Sequence, residues 1–301
     1  MRAGLFVRYL VAVSLVGIAP LEAKEVTLQY QGLTLNANLE LATRKKIADG
    51  AILITHGSLA HRGMESLVNF QNLLKEKGYN TLAINLSLGM NNRHGMYDCR
   101  IPHRHRYIDA VGEIHAWMDW LKKQGATRAA VMGHSRGAAQ TALYAAERKH
   151  ALTKAVVLLA PATLDNASAT EYEERFQQPL ALLLEKAQDL IQAGKGDSLI
   201  EGIGLMTCAD TSVTAESLVS YYAIAPHLDT MALLSKIGKP VLVVVAGGDE
   251  IVVDLEKKVA PKVDSKHIQM KVVENADHFF RDLYADEAVD AIDLFLKGAG
   301  Y

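Results

Sequence analysis

Residues 133–137 read Gly-His-Ser-Arg-Gly. A short apolar run, Ala129 to Met132, leads into them and alanine-rich sequence follows, so the pattern predicts a strand, a sharp turn and a helix. A serine on such a turn, Ser135, is forced into an unfavourable backbone conformation. Glycines at 133 and 137 remove the side chains that would strike the adjoining strand and helix. The Ser135 hydroxyl then faces a cleft, and the N–H of Arg136 falls at a helix N-terminus, where negative charge is stabilised. An exposed hydroxyl beside a place for an oxyanion is what a nucleophile of acyl transfer requires.

Such a hydroxyl needs a base, and the base needs a carboxylate to orient it. Pro240–Ala246 (PVLVVVA) reads as a buried strand, and Asp249 falls in the turn just past it, within Gly247-Gly248-Asp249-Glu250-Ile251-Val252. His267–Val273 (HIQMKVV) alternates as a strand does, and His278 lies in the loop between it and the last helix. Ser135, Asp249 and His278 thus each follow a predicted strand, where sites of open α/β sheets form. Glu250 and Asp277 are the neighbouring carboxylates that could stand in for Asp249.

Through these motifs the chain resembles the α/β-hydrolase superfamily. The resemblance rests on His56-Gly57, GHSRG at 133–137, GGDEIV at 247–252 and ADHF at 276–279, and runs from about Gly50 to the C-terminus apart from a central insertion. It implies an α/β fold with a mostly parallel central sheet flanked by helices, a nucleophile elbow at Ser135, and the chain order Ser, Asp, His. It also implies a second oxyanion donor in the loop after an early strand. Gly50–Thr55 (GAILIT) is that strand, and Ser58 N–H or Leu59 N–H is the candidate to act with Arg136 N–H, with His56 structural. Where many members carry Asp-x-Arg-Gly-His-Gly after the next strand, this chain has Asn85-Leu86-Ser87-Leu88-Gly89-Met90, so no subfamily follows from the likeness.

The elements that must position these residues are legible around them. The chain has 301 residues, 50% hydrophobic, with net charge −2, which suits one large α/β domain. Neither the charge nor any basic run points to nucleic acid. Arg2 and Arg8, an apolar stretch from Tyr9 to Ala19, and Ala23 before a polar boundary read as a signal peptide over 1–23. Its apolar run is shorter than the ~20 residues that span a bilayer, so no stable membrane span is expected after cleavage. The mature domain would run over 24–301, secreted or periplasmic.

Glu25–Leu41 reads as an entry hairpin turning at Gly32, and Met64–Lys77 as an amphipathic helix closed by Gly78. Thr81–Leu86 reads as a strand and Tyr107–Lys123 as a helix burying Trp117, Trp120 and Leu121. The helix after Ser135 is expected to reach about His150, and Lys154–Ala160 (KAVVLLA) to form a buried strand. No strand is obvious over 163–236, roughly seventy residues where a connection normally takes ~2–6. The superfamily commonly carries a cap there, so a helical cap is expected over the site. Its helix candidates are Pro179–Ala193 and Ala215–Ala223, with Leu183 and Leu184 as candidates to line an acyl pocket.

The loop 87–106 holds His94, Asp98, Cys99, His103 and His105. Arg100, Arg104 and Arg106 interleave with them and would repel a cation, so it reads as a hydrogen-bonded loop at the cleft rim with no metal. Cys99 and Cys208 are the only cysteines. In an oxidising compartment they could pair and tie the cap to the core; otherwise they pack as two small apolar residues.

The expected function is that of a serine hydrolase without cofactor, first a carboxylesterase forming an acyl-enzyme on Ser135 from a small, apolar ester. The same residues could serve an acyltransferase, a thioesterase or a peptidase. A protein of another class, a catalytically silent module holding a ligand under the cap, would keep the fold but lack an activated serine. The oligomeric state has no sequence signal.

Overall fold

The computed structural model describes residues 24–264 and 266–301. The expected signal peptide, 1–23, lies outside the described residues. Ten strands and nine α-helices follow one another among them.

Two strands, β1 (Lys24–Tyr30) and β2 (Leu33–Glu40), form the entry hairpin, antiparallel around Gly32 at φ 80°. Then β3 (Ala51–Thr55), α1 (Glu65–Glu76), β4 (Thr81–Asn85), α2 (Asp109–Lys123), β5 (Ala129–His134), α3 (Arg136–Glu147) and β6 (Thr153–Leu159) alternate. After an insertion come β9 (Val241–Ala246), the short α8 (Leu255–Val259), β10 (Ile268–Val273) and α9 (Leu283–Gly298). The central sheet has eight strands in the order β1-β2-β4-β3-β5-β6-β9-β10. From β4 onward all pairings in that order are parallel, and β2 meets β4 antiparallel. This is the mostly parallel sheet flanked by helices that the motifs implied.

A sheet covered on both faces needs apolar residues at every strand position. In β3 (AILIT), Leu53 points into the layer that holds Trp117 and Leu121 of α2, while Ile52 and Ile54 point to the layer with Phe70 and Leu74 of α1 and Ile292 of α9. The expected α2 residues Trp117 and Leu121 are buried completely; Trp120 is only partly so, against the edge of the same layer. β5 sits mid-sheet, so its C-terminal end emerges between both layers.

The insertion after β6 is where the structure departs from expectation. It holds the expected helices α5 (Leu180–Gln192) and α6 (Ala215–Tyr222), with α4 (Ala169–Phe176) and α7 (Thr230–Leu234) beside them. Between α5 and α6 it also forms an antiparallel hairpin, β7 (Leu199–Leu205) and β8 (Cys208–Thr214). The cap is therefore mixed rather than purely helical. The signal was masked because Gly202 and Gly204 interrupt the apolar alternation of β7 and the pairing is irregular between Ile200 and Leu205.

The long loop 87–106 is fastened to this hairpin. Cys99 and Cys208 are joined in a disulfide with Cα atoms 5.5 Å apart. His103 N–H donates to Ser212 O and Thr214 N–H to His103 O, a short parallel bridge onto β8, and Thr211 Oγ1 donates to Cys99 O at 2.7 Å. No helix among the described residues is long and apolar enough to cross a membrane.

Candidate active site

Ser135 stands between β5 and α3 at φ 56°, ψ −127°, a conformation that side chains rarely adopt. The two glycines around it are sterically required. A Cβ on Gly133 would lie 2.5 Å from Gly137 O, and one on Gly137 would collide with the carbonyl of His56. The same tight approach brings the 56–59 loop against the serine: a Cβ on Gly57 would lie 3.2 Å from that of Ser135.

The structure gathers Ser135, Asp249 and His278 from beyond the C-terminal ends of β5, β9 and β10 into one hydrogen-bonded line. His278 Nε2 is 2.9 Å from Ser135 Oγ, and His278 Nδ1 is 2.7 Å from Asp249 Oδ2. Asp249 Oδ1 accepts the N–H groups of Ile251 and Val252 at 2.7 and 2.9 Å. An ionised carboxylate only accepts, so Nδ1–H donates to Asp249 and Nε2 is left to accept from the serine. Burial works against the Asp249 charge. The hydrogen bond and charge of His278 and the two N–H groups overcome it, and its pKa is held below the ordinary carboxylate value.

The two alternative carboxylates lie elsewhere. Asp277 Oδ1 accepts the N–H groups of Phe279 and Arg281 and its other oxygen pairs with the Arg281 guanidinium. Glu250 is exposed.

Two histidines that carry no chemistry of their own set this geometry. His134, buried, donates from Nε2 to the carbonyl of His278 at 2.8 Å and so fixes the backbone of His278. Burial, reinforced by the nearby His278, pushes it down to about 4, so it stays neutral. His56 donates from Nδ1 to Gly57 O at 2.8 Å, while its Nε2 accepts from Leu86 N–H and Arg93 Nη2, both at 3.0 Å. Burial, then the Arg93 charge, lowers His56 to about 3. Because the peptide is planar and trans, anchoring the Gly57 carbonyl to one side turns the Ser58 N–H to the other. Ser58 lines the cavity at Ser135; Leu59 does not, being buried at φ 51°. Of the two sequence candidates Ser58 N–H is thus the one at the cavity, with Arg136 N–H at the start of α3.

Arg93 was not singled out by the sequence. It is buried and donates to Leu86 O, Gly95 O and Ala60 O as well as to His56, clamping the 56–60 and 86–95 loops together. It occupies the loop that lacks the superfamily's usual Asp-x-Arg-Gly-His-Gly, and only the odd arginine in a long polar loop hinted at it.

A cavity of about 320 Å³ opens over Ser135 and His278. Its apolar wall comes from Met64, Met96, Met206, Ile251, Val252 and Phe279; Ser58, Arg136, Glu171 and Arg175 add polar groups. Leu183 and Leu184 are not part of it. They lie partly buried against the hydrophobic core, with Leu180 and Ala187 fully buried beside them. The leucine periodicity of α5 thus records the face that glues the cap down. The cap reaches the cavity instead through Asn166, through Glu171 and Arg175 of α4, and through Met206 and Thr207 in the hairpin turn beside Cys208, positions with no periodicity to betray them.

The histidine-rich loop buries His103 and His105 and leaves His94 at the surface. His103 Nδ1 is 3.0 Å from His105 Nε2, and His105 Nδ1 is 2.8 Å from the hydroxyl of Tyr221 on α6. Tyr97 stacks on His103 with centroids 4.5 Å apart. Burial lowers His103 to about 4 and His105 to about 3. His94 pairs with Glu25 at the surface and Asp98 with Arg100. Among the described residues no group of three or more His, Cys, Asp or Glu is placed to hold a metal ion.

The family model of the serine aminopeptidases, S33, matches residues 46–281. The chain belongs to that hydrolase family. Its fold is the α/β-hydrolase fold, and the solved structures it resembles include esterases of that fold. Est1E from Butyrivibrio proteoclasticus is 20% identical, with TM-score 0.63 over 91% of this chain and 98% of that one. The Pyrococcus furiosus esterase Pf2001 is 18% identical, with TM-score 0.60 over 92% of each chain. The α/β-hydrolase GrgF from Penicillium sp. sh18 is 14% identical, with TM-score 0.67 over 93% of this chain and 100% of that one. Identities this low speak for the shared fold. Comparison with curated protein sequences gives no match.

Proposed function

We propose that this family member is a serine carboxylesterase that works through an acyl-enzyme on Ser135. The observation that carries the reading is the line Ser135–His278–Asp249, two hydrogen bonds at 2.9 and 2.7 Å with the carboxylate held ionised. In that reading Ser135 Oγ attacks the ester carbonyl and His278 Nε2 takes the serine proton. The C–O bond to the alcohol then breaks, and the imidazolium gives its proton to the departing alkoxide. Water, activated by the same imidazole, releases the acid. Asp249 fixes the tautomer and stabilises the imidazolium. Arg136 N–H and Ser58 N–H face the developing oxyanion, where one donor is worth about 3–4 kcal/mol.

The family name raises peptidase activity as a second reading. An aminopeptidase must offer an anion to the substrate's ammonium group. Among the described residues the one carboxylate lining the cavity, Glu171, already pairs with Arg175 at 2.8 Å, which favours an ester over a substrate with a free ammonium group. The disulfide between Cys99 and Cys208 and the signal-like segment 1–23 support a periplasmic or secreted location.

A fluorophosphonate probe tests the activated serine directly. Wild-type protein should label stoichiometrically and hydrolyse a short-chain ester, and Ser135→Ala should do neither. A folded wild-type protein that neither labels nor turns over would leave the ligand-binding module as the better account.

A further inference from the structure

The catalytic cavity contains a cation that no group among the described residues neutralises. Arg136 follows Ser135 and lines the same cavity. Its Nε donates to Ser58 Oγ at 2.9 Å, and its guanidinium lies 5.6 Å from the centre of the Tyr221 ring. Among the described residues no carboxylate comes within ion-pair distance of it, and neither Nη nitrogen has a hydrogen-bond partner or is sealed off from the cavity. The titratable groups its charge reaches, His105, Tyr107, Tyr221 and Tyr222, are all held neutral by burial. The other arginine at the cavity is already engaged: Arg175 donates from Nη2 to Glu171 at 2.8 Å and from Nη1 to Met206 O at 3.0 Å.

A half-buried guanidinium without a counter-charge is unfavourable until a ligand supplies one. Two free Nη nitrogens in one plane match the two oxygens of a carboxylate, which they bind in a fork. The position selects which half of the substrate carries that group. The leaving oxygen must face His278 Nε2 to receive its proton. Arg136 is tied instead to Ser58, on the oxyanion side, and to Tyr221 of the cap. The methionines of the cavity wall supply an adaptable apolar surface for methylenes in between.

We propose that the side chain of Arg136 binds a carboxylate on the acyl half of the substrate, so that the preferred esters are monoesters of short dicarboxylic acids. The inference rests on the hydrolase reading above and refines its substrate class.

Three ethyl esters of matched shape test it: monoethyl succinate, its neutral amide ethyl succinamate, and the apolar isostere ethyl 4-methylpentanoate. The wild-type protein should show kcat/KM at least tenfold higher for monoethyl succinate than for either neutral ester, with the preference shrinking as salt rises. In Arg136→Gln that ratio should fall at least tenfold, and Arg136→Lys, which keeps the charge without the fork, should keep part of it. A wild-type ratio near or below one, or a ratio that survives Arg136→Gln, overturns the proposal.

Should the arginine variants fail to fold, calorimetric titration of folded Ser135→Ala with succinate and with succinamide gives the same answer. Succinate that binds no tighter than succinamide overturns it. Fluorophosphonate labelling of the wild type separates the two readings. Labelled protein with a flat ratio removes only the anion site, whereas unlabelled protein without turnover removes the hydrolase reading beneath it.

Discussion

Ser135 holds its positive φ only because Gly133 and Gly137 let β5, α3 and the His56 carbonyl close around it. The line of three side chains should therefore behave as a unit. His278→Ala is expected to cost ester turnover about as much as Ser135→Ala, and the double variant little more, because units of this kind are non-additive. Clearly additive losses in kcat would show that the two do not act together. Asp249→Asn should lower kcat roughly 10⁴-fold by presenting the wrong tautomer to the serine. Asp277→Asn and Glu250→Gln should leave most of the activity in place, since Asp277 is bonded to its own loop and Glu250 is exposed. A larger loss from either of these than from Asp249→Asn would reassign the carboxylate.

Among the elements of the cap, α5 attaches it to the core, while α4 and the β7–β8 turn touch the cavity. Met206 lies in the β7–β8 turn and lines the cavity; Leu183 and Leu184 of α5 face the core. Replacing Met206 by Ala should therefore shift relative kcat/KM among esters of different acyl length. Leu183→Ala and Leu184→Ala should lower the free energy of unfolding by up to about a few kcal/mol each for partly buried leucines, with relative rates preserved. The opposite pattern in an ester panel would return the pocket to α5. The disulfide spans a sequence separation of 109 residues and joins the 87–106 loop to the same turn. Its loss in the double variant Cys99→Ser, Cys208→Ser should cost up to about 5 kcal/mol in the loop-entropy picture. A denaturant midpoint unchanged from wild type, measured without reductant, would show that packing alone holds the cap.

The molecule as a whole carries a pH signature from its buried imidazoles. His56 and His105 are lowered to about 3, and His103 and His134 to about 4, in each case first by burial. Unfolded, each would titrate near 6.5. Between pH 6.5 and 4 the unfolded chain therefore binds protons that the folded chain refuses, and stability falls as pH drops through that window. Glu113 works in the opposite sense. Burial outweighs its bonds from Ser87 and raises it to about 7, so the folded state keeps a proton that the unfolded state loses above about 4.5. Its contribution is full at low pH and fades as pH rises to 7. Four imidazoles against one carboxyl leave a net fall on acidification, and His105→Gln should flatten the slope by about one proton. Denaturant melts from pH 7.5 to 4.5 read this directly, and stability that is flat or rises over that range would contradict it.

What the sequence determined by itself is what local chemistry encodes. Gly-x-Ser-x-Gly after an apolar run, Asp249 past PVLVVVA and His278 past HIQMKVV placed the three site residues at strand ends. Period and composition placed the strands and helices of the central sheet within a residue or three of their ends, save the brief α8 and the last helix α9, which was expected without bounds. The pairing of Cys99 with Cys208 stayed open because connectivity depends on distance across the fold, and only the structure brings their Cα atoms to 5.5 Å. The same limit hid Arg93, whose acceptors lie on three separated stretches of backbone, and Met206, set against the cavity by a turn between two irregular strands. It misdirected the reading of Leu183 and Leu184 as well. Helical period shows that a face is apolar, but whether that face meets the core or the substrate is decided by what packs opposite it, and that is a property of the tertiary structure alone.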